Sequence, residues 1–161
     1  MRILVPVKQV AVLDPQSDWD PADAQLDAGS LELELNEWDH SSLEVALQLA
    51  EQSEGIEVVV ATVGPEEAEE ILRTCLAKGA DRAIRVWGDG FDELDELGVA
   101  RVLAAVAAGD PADLILCGVQ SSDAATGVAL AGLLDVPHVA VAKRVERGGG
   151  GLWSIASSRV V

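Results

Sequence analysis

A chain of 161 residues, nearly half of them apolar, is long enough to bury one substantial core and too apolar to be disordered. Its formal net charge of −17, with only three Lys at positions 8, 78 and 143, argues against a nucleic-acid partner gripped by clustered basic residues; it fits solubility, a salt-adapted source or a basic partner. With four Trp, one Phe and no Tyr, the core has to be Val, Leu, Ile and Ala, which suits a parallel sheet enclosed by helices.

Residues 2–7 (RILVPV) are too continuously apolar for a half-exposed strand and read as the buried first strand. The N-terminus is not a signal peptide, because its apolar run is brief and Lys8 interrupts it. No segment reaches the apolar length needed to span a bilayer, so no membrane insertion and a cytoplasmic location are expected. Residues 13–30, rich in Asp, Pro and Ala, read as a surface excursion. The period-two segment LELEL at 31–35 reads as a short strand with one wet face. Asn36 then offers a helix N-cap, and Leu43, Ala46, Leu47 and Ala50 recur at helical spacing through about residue 53.

A buried strand follows at 56–62. Gly64-Pro65-Glu66-Glu67 starts the next helix, with proline suited to the first helical position and carboxylates to the positive end of the dipole. Gly79 ends it in a left-handed conformation. Residues 83–87 form a strand, and 94–108 a helix whose apolar face is drawn from Leu97, Val99, Val102, Leu103 and Val106. A strand at 114–117, a helix at 124–134 and a last strand at 138–145 complete the pattern.

Strands alternating with helices of this length give an α/β fold with a mostly parallel sheet and helices on both faces. In such sheets ligands sit beyond the carboxyl ends of the strands, near a switch in strand order. The loops after Val7, after Thr62 and at 118–127 all lie there, and the Asn36 turn is positioned to join them. The last of these, within CGVQSSDAATG at 117–127, has glycines that admit a ligand to the backbone and hydroxyls at Ser121, Ser122 and Thr126. A helix starting near Ala124 or Ala125 would add free N–H groups for an anion such as a phosphate; Ser122 or Asp123 acting simply as an N-cap would explain the same composition. The loop itself holds no Lys or Arg.

No catalytic set and no metal-ligand spacing are present. GxxxxGK[ST] is missing, and so is GxGxxG after the first strand. His40 and His138 have no nucleophile partner, and Cys75 and Cys117 read as reduced core residues. Asp39, Asp123 and the Glu-rich runs read as solvated faces. The residues alone describe a binding domain without acid–base machinery.

Four stretches in order, ILVPVKQV, LNEWD, VGPEEAEEILRTCLAKGADRAIRV and DLILCGVQSSD with ATGVALAGLLDVP, resemble the electron-transfer flavoprotein β subunit over roughly residues 1–145. The resemblance implies an adenine-nucleotide α-hydrolase-like (Rossmann-like) domain over 1–147, with 148–161 an atypical tail. It implies a redox carrier that binds structural AMP, or the ADP half of a second FAD, and pairs with an FAD-carrying α subunit. Electrons would pass from acyl-CoA or other flavin dehydrogenases to a quinone reductase, with no catalytic residue on this chain. By the same resemblance Pro6 lies beside the adenine, and Asn36, Glu37, Trp38 and Asp39 form a turn closing over the nucleotide. Val63 packs on adenine or ribose. Gly118, Val119, Gln120, Ser121, Ser122, Asp123, Thr126 and Gly127 wrap the ribose and phosphate.

The sequence departs from the family twice. The loop between Asp123 and Thr126 is a few residues shorter, where the phosphate would be gripped, and the chain stops at Val161, before the family's C-terminal arm. Two other readings therefore stay open: a stand-alone nucleotide-binding domain resembling universal stress proteins, and a truncated remnant that binds neither nucleotide nor partner.

Overall fold

The structure, a computed structural model, describes residues 1–14, 31–119, 125–148 and 152–157. In chain order the elements are β1 (Arg2–Pro6), β2 (Gln9–Leu13), β3 (Leu31–Leu35), α1 (Glu37–Gln52), β4 (Glu57–Val63), α2 (Glu69–Lys78), β5 (Arg82–Val86), α3 (Glu96–Gly109), β6 (Leu114–Ile115), α4 (Thr126–Leu134), β7 (Ala142–Arg147) and β8 (Trp153–Ser157). β1, β4, β5 and β6 make one parallel sheet in the order β5-β4-β1-β6. The β1–β4 register sets Leu4 against Val59 and Val5 against Val60.

Alternation along these strands sends successive side chains to opposite faces, and both faces are apolar. Ile3, Val5, Val58 and Val60 pack against Leu43, Ala46 and Leu49 of α1 and Ile71, Leu72 and Cys75 of α2. Leu4, Val59 and Ala61 pack against Ala100, Leu103 and Ala107 of α3 and Leu130 of α4. The α/β class with helices on both faces is therefore as the sequence led us to expect.

Several boundaries differ from expectation. The unassigned stretch after Lys8 forms β2, which pairs antiparallel with β3 as a ribbon separate from the main sheet. The wet and dry faces expected of β3 are blurred on that ribbon, with Leu33 49% exposed. The surface excursion at 13–30 falls, from residue 15 on, outside the described residues. Pro65 precedes a 3₁₀ turn at Glu66–Ala68, and α2 follows from it. Gly79 does take a positive φ, 121°.

On α3, Leu97 points outward and the sheet contact falls to Ala100, Leu103 and Ala107, since small side chains let the helix lie close. The strand expected at 114–117 shrinks to Leu114–Ile115, which among the described residues pairs with β1 alone. The strand expected at 138–145 begins only at Ala142, after Val141 leaves extended backbone with φ 51°. β7 then pairs antiparallel with β8, and Val145 and Trp153 pack on the α1 side of the core.

Candidate functional site

From β1 the chain crosses through α1 to β4 and steps outward to β5; α3 then returns it to β6 on the opposite side of β1. That reversal leaves a crevice beyond the carboxyl ends of β1 and β6, where open α/β sheets hold ligands. It is a cleft with an enclosed volume of about 100 Å³. Pro6, Val7 and Lys8 leave β1 along one wall, and Ala61 and Val63 close the end of β4. Val99 and Leu103 of α3 form an apolar side. Cys117 and Gly118, leaving β6, and Thr126 and Gly127 of α4 form the other wall, with Asp39 of α1 between.

Next to it, sharing Lys8, Val63 and Val99, a wider cleft of about 430 Å³ runs past Gly64 and Pro65 to Trp87 and Phe91. Those two rings meet edge to face at 6.1 Å. The enclosed part is smaller than the roughly 300 Å³ of a site that engulfs a drug-sized ligand. It suits a flat ring held between apolar walls, with the rest of a ligand at its mouth.

Asn36 explains how α1 is aimed. Its side chain accepts from Trp38 N at 2.9 Å and Asp39 N at 3.3 Å, which caps the helix and turns Asp39 inward. Asp39 is only 6% exposed, so the expectation of a solvated carboxylate is corrected. Its Oδ2 accepts from Lys8 N at 2.8 Å, and the Gly118 N–H bonds to the same carboxylate. Burial pushes its pKa up to about 6, against the pull of those two amides and of the Lys8 charge. Gly118 is glycine for a visible reason: a Cβ there would lie 2.3 Å from Asp39 Oδ1 and 3.0 Å from the Asp39 N.

Cys117 borders Gly127, and burial with the Asp39 charge nearby pushes its thiol up to about 11, so it packs and does not react. α4 begins after Ala125, whose methyl group cannot cap it, so among the described residues no N-cap side chain accepts from its first-turn N–H groups. The alternative that Ser122 or Asp123 caps this helix falls outside the described residues. His40 lies on α1 with Nε2 3.1 Å from Glu44 Oε1, at ion-pair distance without hydrogen-bond geometry.

Of the residues singled out from sequence, the structure brings Pro6, Asp39, Val63, Gly118, Thr126 and Gly127 into one cleft. Asn36, Glu37 and Trp38 lie on the neighbouring helix start, with Asn36 engaged in capping and Glu37 and Trp38 exposed. Val119 is also exposed, and Gln120, Ser121, Ser122 and Asp123 lie outside the described residues. Sequence reasoning missed Lys8, Val99 and Leu103. Lys8 directly follows the first strand, and Val99 and Leu103 stand four residues apart on α3, so strand exit and helix periodicity were the available signals.

Residues 24–158 match the electron transfer flavoprotein domain. The chain belongs to that family. It is 45% identical over 145 residues to the electron transfer flavoprotein subunit beta of Methylophilus methylotrophus, covering 88% of this chain and 55% of the relative. The mitochondrial subunit beta of Oryza sativa subsp. japonica is 37% identical over 150 residues, 90% of this chain and 59% of its own. Subunit CarD of the caffeyl-CoA reductase-Etf complex of Acetobacterium woodii is 35% identical over 150 residues, 91% and 57%. The chain thus spans a little over half the length of the electron transfer flavoprotein relatives it matches. Among the described residues no helix is long and apolar enough to cross a membrane, and no group of acidic, His and Cys side chains is placed to hold a metal.

Proposed function

We propose that this chain is an electron-carrier subunit that holds an adenine nucleotide in the crevice beyond β1 and β6. The observation that carries this reading is the convergence of Pro6, Val63, Gly118, Thr126 and Gly127, from four separate elements, on one cleft with a ring-sized apolar interior. Pro6, Val63, Val99 and Leu103 would sandwich the adenine. Lys8 and the start of α4 would face the phosphate, supplying a cation that the loop sequence itself lacks and the first-turn N–H groups of a helix.

The nucleotide is AMP, or the ADP half of a second FAD, because the same contacts serve either. A flavin, when bound, supplies the electron-accepting chemistry; this chain's own residues bind and orient, and none acts as acid, base or nucleophile. The functional unit is a heterodimer with an FAD-carrying α subunit, located in the cytoplasm. It takes electrons from acyl-CoA or other flavin dehydrogenases and delivers them to a quinone reductase. The relative found in a caffeyl-CoA reductase-Etf complex fits a carrier that works docked to such an enzyme. Exposed Val128, Val136 and Val139 supply apolar area for pairing.

Co-expression with the α subunit, followed by heat denaturation and chromatography of the released nucleotides, tests the reading. One FAD with one AMP supports the single-flavin form, and two FAD the two-flavin form. A pure complex releasing FAD alone contradicts nucleotide binding by this chain, and failure to co-purify contradicts the pairing.

A further inference from the structure

Among the described residues the buried polar side chains are Asn36, Asp39 and Thr62, and of these only Asp39 carries a charge at neutral pH. A buried carboxylate is retained at a cost in solvation, so what it holds together matters. Asp39 sits on α1, yet both of its partners belong to other segments. Lys8 N donates to Oδ2 at 2.8 Å from the exit of β1, and the Gly118 N–H donates from the exit of β6. These exits form opposite walls of the cleft. The absence of a Cβ at Gly118, where one would stand 2.3 Å from Oδ1, is what allows the approach.

We propose that Asp39 is the positioning residue of this cleft: its carboxylate sets the separation of the two walls, and taking up a proton loosens one wall, so that the adenosine half of the ligand is released on mild acidification. The ligand part rests on the nucleotide reading above; the positioning part does not. The physical step is simple. An ionised carboxylate accepts both N–H bonds strongly, whereas a protonated one turns one oxygen into a donor facing a donor. The balance lies close to neutrality because burial raises the Asp39 pKa to about 6 while the two amides hold it down.

Among the described residues, the other charged or titratable groups facing this carboxylate are the Lys8 ammonium at the end of β1, the Cys75 thiol on α2 and the Cys117 thiol beyond β6. Both thiols are pushed up to about 11 and stay neutral throughout the window. To the cleft that this carboxylate borders, β4, α3 and α4 contribute, among the described residues, Ala61, Val63, Val99, Leu103, Thr126 and Gly127, none of which titrates.

The test is amide hydrogen exchange at Lys8 and Gly118, read by NMR in the wild type and in Asp39→Asn, at about pH 7.5 and about pH 5, either side of the Asp39 pKa of about 6. After correction for intrinsic exchange, at least one amide should lose about tenfold in protection on acidification in the wild type. The variant should show the lower protection at both values. Unchanged protection of both amides across the window, or a wild-type profile in the variant, overturns the proposal; the wild-type titration alone decides it if the variant fails to fold. Adenosine is the ligand probe, because a phosphate monoester itself titrates near pH ~6. Its affinity should fall with protection in the wild type and stay flat in Asp39→Asn. Affinity independent of pH in the wild type overturns the ligand part. Amides that respond as expected with no adenosine bound at any pH uphold the positioning role and overturn the ligand part, while AMP binding tests the nucleotide reading itself.

Discussion

The Asp39 carboxylate is a solvation burden in the folded chain, and its sign fixes a measurable pH dependence. Its folded pKa, about 6, lies above the ordinary 3.8, so between those values the folded state keeps a proton that the unfolded chain gives up. Stability from this group is fully present below the lower value and is lost as pH rises through the higher one, by about 3 kcal/mol at most. The unfolding free energy of the wild type minus that of Asp39→Asn, from urea titrations, should therefore fall as pH rises from about 4 to about 7. A flat or rising difference contradicts the burial. The two glycines Gly118 and Gly132 make a paired test. Gly118→Ala drives a Cβ to 2.3 Å from Asp39 Oδ1 and should cost roughly 1–3 kcal/mol. Gly132→Ala, with nothing within 4 Å and a helical backbone, should gain about 0.5–1 kcal/mol, both read as shifts in thermal midpoint.

Helices α1 and α2 were legible because apolar residues recur at helical spacing and because their ends carry chemical signals: Asn36 with its capping side chain, and Gly79 with a positive φ. Removing the first signal, Asn36→Ala, should lower stability by about 1 kcal/mol and release the turn that aims Asp39. α3 was located correctly, but its face was read from its largest side chains. Ala100 is fully buried and Leu97 is 41% exposed, because close approach to the sheet selects for small residues. Ala100→Leu should accordingly destabilise by roughly 1–3 kcal/mol in chemical denaturation, and a silent substitution there would refute the close packing. β2 went unread because Gln9–Leu13 forms a ribbon with β3 outside the sheet, where alternation has no buried face to report. The shortening of β6 and the late start of β7 reflect tertiary pairing, which the apolar runs LILC at 114–117 and VAVA at 139–142 do not encode.

In the whole molecule the two ends of the sheet have different chemistry. At the amino end, Arg2 and Arg82 each pair with both Glu57 and Asp110, and the Arg2 hydrogen bond holds the Glu57 carboxyl below its usual range. At the carboxyl end, the reversal of strand order leaves open the crevice lined by Pro6, Val63, Gly118, Thr126 and Gly127. Sequence motifs located that crevice through its backbone-permissive and hydroxyl-bearing residues. They did not reveal that Lys8 would bring a cation to a loop without one, or that Asp39 would be turned inward, because both depend on how three loops converge. The most direct test of nucleotide binding at this site is a map of backbone amide shifts in the isotope-labelled chain as AMP is added. Perturbations should concentrate at Lys8, Val63, Gly118, Thr126 and Gly127 and saturate together. Shifts confined to the groove between Arg2, Gly55 and Asp113 at the opposite end of the sheet, or no shifts at saturating AMP, would contradict it.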